Sequence, residues 1–68
     1  MNELKRAAKA YKDAVHAVKA AEIELRYRKR QKPVDVNAVQ TEQMKVDAAR
    51  VHLTDMKQAL MRAALGES

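Results

Sequence analysis

Gln31-Lys32-Pro33-Val34-Asp35 contains the only proline in the chain, and its reading decides the fold. Proline crowds the backbone of its predecessor out of helical geometry, so a helix arriving from the amino-terminal side should finish by about Gln31. Asp35 is the residue type that caps a new helix, its carboxylate accepting from the free N–H groups of the first turn. In that register Val34 lies just outside the cap and Val39 four positions inside, the spacing of a hydrophobic staple; Asn37 with Gln40 is a competing capping box.

On either side of this stretch the composition favours helix. Ala, Leu, Met, Lys, Arg, Glu and Gln predominate, and they lose little side-chain freedom in a helix. The β-branched residues are scattered and do not alternate. The expected fold is all-α: a single-domain antiparallel hairpin of coiled-coil character, with a first helix over about 3–31, a linker over about 32–35 and a second helix over about 36–65. Asn2 and Glu3 suit the start of the first helix, and the basic run near Arg30 suits its negative end. Gly66, the only glycine, is placed to take a left-handed conformation after the last turn.

At 100° per residue, Leu4, Ala8, Tyr11, Val15, Val18 and Leu25 fall on one stripe, and Val39, Val46, Ala49, Leu53, Met56, Leu60 and Ala63 on another. Folded about Pro33, the stripes oppose one another with residue numbers adding to about 67 or 68, which sets Val18 against Ala49 and Val15 against Leu53. Glu22 and Glu42 interrupt the stripes near the linker. There a carboxylate needs a partner if it is buried, Arg26 and Lys45 being near enough, and needs none if the seam is open to water. Open seam is the expectation. Ala10, Ala14, Ala17 and Ala21 form a smooth flank that would let another helix approach.

The supply of large apolar groups is thin. Thirteen of the 32 hydrophobic residues in this 68-residue chain are alanine. A chain so short buries only about 60% of the surface its unfolded form exposes, and a lone core of this size supplies about 3–5 kcal/mol. With no cysteine there is no disulfide or thiolate metal site to compensate, so a partner chain is expected to complete the core. Ile23, Tyr27, Met44 and Val51 point away from the stripes, beside Ala20 and Ala48. One seam cannot bury them, and they are the candidate anchors of a protein interface or of a homodimer that forms a four-helix bundle.

The chain carries a formal net charge of +5. Residues 1–32 hold ten Lys/Arg against four Asp/Glu, a net of +6, and residues 33–68 hold four against five, a net of −1. The densest part is Arg26, Arg28, Lys29, Arg30 and Lys32, a basic patch suited to phosphate, to an acidic protein groove or to anionic lipid. No uncharged stretch exceeds the six residues from Val36 to Thr41, so no membrane-spanning segment is expected, and charges at Lys9, Lys12 and Asp13 break up any signal-peptide core. The expected compartment is the cytoplasm.

Catalysis is not expected. His16 and His52 come to one level of the hairpin but project from its sides, and with Asp13 and Asp55 they make no closed metal shell. The only serine is Ser68 and there is no glycine-rich phosphate loop. Neither a cofactor, a metal nor a small-molecule substrate is implied. The expected function is that of a small non-catalytic protein that binds another protein as adaptor, inhibitor (anti-activator) or chaperone-like regulator. A nucleic-acid-binding regulator using the basic face of the first helix is the competing expectation.

Overall fold

The computed structural model describes residues 2–66 and is a two-helix antiparallel hairpin. Helix α1 spans Asn2–Arg30 and helix α2 spans Val36–Gly66. The chain bends through residues 31–33, where the Lys32–Pro33 peptide is cis. No helix among the described residues is long and apolar enough to cross a membrane.

The start of α2 follows from Asp35. Its Oδ1 accepts the Ala38 N–H at 3.1 Å and its backbone carbonyl accepts the Val39 N–H at 3.0 Å, so side chain and main chain both serve the first turn. Asn37 does not cap. It lies inside the helix, where its carbonyl accepts the Thr41 hydroxyl at 2.9 Å. Replacing Asp35 with Ala is accordingly expected to lower stability by about 1 kcal/mol, and Asn37→Ala by less than about 0.5 kcal/mol. Urea midpoints of the two variants check the assignment.

Gly66 remains helical and has no positive φ, which corrects the expectation of a left-handed terminator. The helical hydrogen bonds simply continue to the last described residue. Glu67 and Ser68 lie outside the described residues.

Helix α1 packs through a slightly different stripe from the one the sequence suggested. Ala14, Val18 and Leu25 are buried, Ala7, Ala10 and Ala21 are half-buried, and Ala8 is exposed. The expected alanine flank is thus largely part of the seam itself, with only Ala17 of its four members fully outside. The small residues face α2 because they let the helix axes come close, while Leu4, Tyr11, Val18 and Leu25 fill the alternate layers. On α2 the expected stripe holds throughout: Val46 is 1% exposed, and Val39, Ala49, Leu53, Met56, Leu60 and Ala63 are half-buried.

Two ion pairs cross the seam: Arg28 meets Glu42 and Arg50 meets Glu22, with residue numbers adding to 70 and 72 against the 67 or 68 expected for directly opposed residues, an offset within the reach of an arginine side chain. Val34 in the linker and Val36 in the first turn of α2 are both exposed.

The result is a rod of 54 × 13 × 10 Å with a radius of gyration of 15.6 Å. A compact chain of this length would have a radius near 11 Å. The rod leaves 5489 Å² accessible, where a globule of its mass would leave about 4,300 Å² and its unfolded chain about 11,000 Å². Folding alone thus removes about half of the surface from water.

Candidate interaction surfaces

Near the linker the seam is polar and closed. The Glu42 side chain is only 9% exposed, and it is held by Arg28 Nε at 3.5 Å and Lys45 Nζ at 3.3 Å. Arg28 Nη1 also donates to Gln31 Oε1 at 3.4 Å, which ties the pair to the first residue of the bend. Arg28 Nε itself is shut off from solvent and makes no hydrogen bond among the described residues, so charge more than hydrogen bonding holds it to Glu42. The open seam expected here is corrected for Glu42, and so is its expected partner: Lys45 takes part, but the arginine is Arg28 and not Arg26. Glu22, further along, accepts from Arg50 Nη2 at 2.9 Å. Arg50 escaped the sequence reading because the expected register places it four or five residues from Glu22's level, a distance its long side chain spans.

Ile23, Tyr27, Met44 and Val51 are all more than half exposed. They do not form one patch. Ile23 lies about 170° round α1 from the seam, and Met44 and Val51 lie equally far round α2, so the two sets look outward in opposite directions. On α1, Ile23 and Tyr27 border a shallow open groove of 370 Å³ together with Arg26 and Arg30. Further exposed apolar residues are Val34, Val36, Met61 and Leu65. The sequence reading missed Met61 and Leu65, although Leu65 repeats the seven-residue step from Met44 through Val51 and Gln58.

The five hinge cations are dispersed as well. Arg28 turns into the seam, Arg26 and Arg30 share the groove beside Tyr27, Lys29 stands apart from them on the exposed helix surface, and Lys32 is in the bend. Proximity in sequence does not make them one cluster, because successive helical residues diverge by 100°.

The hairpin has two broad faces, and each is anchored by an observed contact across the helices. On the first, Ala7, Ala10, Ala59, Ala63 and Met56 floor an open groove of 570 Å³ rimmed by Arg6 and Arg62. Ala17, Ala20 and Ala48 extend this face toward the hinge by helical spacing. It carries four cations, Arg6, Lys9, Lys45 and Arg62, against four carboxylates, Glu3, Asp13, Glu24 and Asp55, with Lys9 paired to Asp13. On the second face Glu22 bonds Arg50, and around them stand seven Lys/Arg against two carboxylates, Glu22 and Asp47. The excess there is +5, equal to the formal net charge of the whole chain.

His16 and His52 are exposed, and no cluster of three or more metal-ligating side chains occurs among the described residues. No protein-family model, curated protein or solved structure matches the chain.

Proposed function

We propose that the chain is a non-catalytic interaction protein that completes its core with a second copy of itself and presents the outer edges of the resulting bundle to another protein, as an adaptor, an inhibitor or a chaperone-like regulator. The observation that carries this reading is the small fraction of surface the hairpin buries, about half where about 60% is usual for a chain of this size. Four apolar residues among those described are buried, against eight large ones left exposed.

Charge selects the face for self-association. A two-fold axis brings a surface against itself, so pairing through the basic face would oppose like charges, whereas the alanine face is nearly neutral and smooth enough for close helix approach. Two hairpins joined there make a four-helix bundle. Ile23, Met44 and Val51 remain on its outside for a heterologous partner, with Tyr27 at the margin of the new seam.

Sedimentation equilibrium at micromolar concentration is the test. A mass twice 7.7 kDa is expected, and Ala17→Arg with Ala48→Arg, both at exposed helical positions, should return the monomer with its helicity intact. A monomeric parent chain would overturn the dimer. For the second partner, a stoichiometric protein should be retained from nuclease-treated native extract by the parent chain and lost on Ile23→Asp; retention by that variant would remove the proposed role of this edge.

A further inference from the structure

The basic face has an internal order that the count of charges along the chain does not reveal. Lys5, Lys12, Lys19 and Arg26 are spaced seven residues apart, so they form one line along α1. The line advances about 10 Å per step and spans about 31 Å. All four are exposed, and among the described residues none is paired with a carboxylate. Lys57 and Arg50 of α2 flank the row, since the Glu22–Arg50 contact shows that these edges of the two helices adjoin. The row lies about 130° from the seam, so it contributes nothing to the packing of the hairpin.

We propose that this face binds the phosphate backbone of a nucleic-acid duplex without reading its sequence. The proposal is independent of the dimer, whose contact would use the opposite face.

Three features favour this occupant. A duplex offers one charge per about 1.7 Å of its axis, so a straight 31 Å row lies along about nine base pairs and stays within the field of both backbones as they cross it. Lysine supplies three of the four charges, and it acts as a point charge with no geometric requirement on its partner, which suits backbone contact and not base recognition. The face has no apolar centre: its large exposed apolar residues stand toward its two ends, Ile23 and Tyr27 beside Arg26 near the linker and Met61 and Leu65 near the opposite end. Protein interfaces place aromatic and apolar residues at their centre and are depleted in lysine, and a helix that lies in a lipid surface needs an apolar face to insert.

The test is fluorescence anisotropy with labelled 24-base-pair duplexes of mixed sequence, one DNA and one RNA, between 50 and 200 mM salt. Low-micromolar binding at 50 mM is expected to at least one of them, with log Kobs falling against log[salt] at a slope of about −4 for four phosphate contacts. Lys12→Gln with Lys19→Gln should weaken binding at least tenfold and reduce the slope by about two. Arg6→Gln with Arg62→Gln removes the same charge from the other face and should change binding less than twofold. Equal losses in the two double variants would overturn the assignment of the face. Absence of binding to either duplex at 50 mM would overturn the proposal, as would binding confined to vesicles rich in anionic phospholipid. Circular dichroism keeps unfolding apart from loss of affinity, and glutamine retains the helix propensity of the residues it replaces.

Discussion

Replacing Arg28 with Met is expected to lower stability by about 2 kcal/mol, and adding Glu42→Leu to the same chain is expected to restore it. The single variant leaves the Glu42 carboxylate in a site where it is 9% exposed, with Lys45 as its remaining counter-charge. Removing one member of a fully buried ion pair costs about 3–5 kcal/mol. The figure is smaller here because the Arg28 side chain is 40% exposed and Lys45 still reaches the carboxylate. The double variant replaces the pair with apolar groups of similar volume, an exchange that elsewhere is neutral or stabilising. Urea denaturation of the parent, both single variants and the double variant gives the coupling energy directly. A double variant no more stable than Arg28→Met would mean that Arg28 contributes more through its hydrogen bond to Gln31 and its packing than through charge compensation of Glu42.

The second large effect concerns how closely the helices approach. Ala14 is 2% exposed and faces α2, so Ala14→Leu must force the helices apart or distort their side chains, at a cost of about 3 kcal/mol. Against a total of about 3–5 kcal/mol for so small a core, that leaves much of the population unfolded near room temperature. Ala8 belongs to the same helix and has the same side chain, but it is exposed, and Ala8→Leu is expected to change stability by no more than about 0.5 kcal/mol. Thermal unfolding of the two variants separates the observed stripe from the one read in the sequence. Equal effects would put the seam midway between them.

That difference shows where the sequence was legible. The all-α hairpin followed from Pro33, from Asp35 and from apolar residues recurring at intervals of three and four, each of which acts locally. The charge pairs did not follow. Periodicity sets the apolar stripes opposite one another but does not say which polar side chains beside them will meet. The pairs observed join Arg28 to Glu42 and Arg50 to Glu22. These depend on long side chains whose reach no periodicity records.

The candidate surfaces were legible residue by residue but not as surfaces. Ile23, Tyr27, Met44 and Val51 were identified as exposed, and they are. Which of them look the same way is a property of the paired helices. The basic patch was located where cations are dense along the chain, and the helix sends those neighbours in different directions. Lys5, Lys12 and Lys19 are sparse in sequence and aligned in space, which only a period of seven brings out.

A body 10 Å thick and 54 Å long is nearly all border. Only Ala14, Val18, Leu25, Glu42 and Val46 are enclosed among the described residues, and the burden of specifying the shape rests on them and on the half-enclosed positions beside them. Substitution at most other positions alters the surface more than the shape, the Asp35 cap and the bend at Pro33 being the exceptions. Such a scaffold tolerates wide change on its outside for as long as those few interior positions are kept.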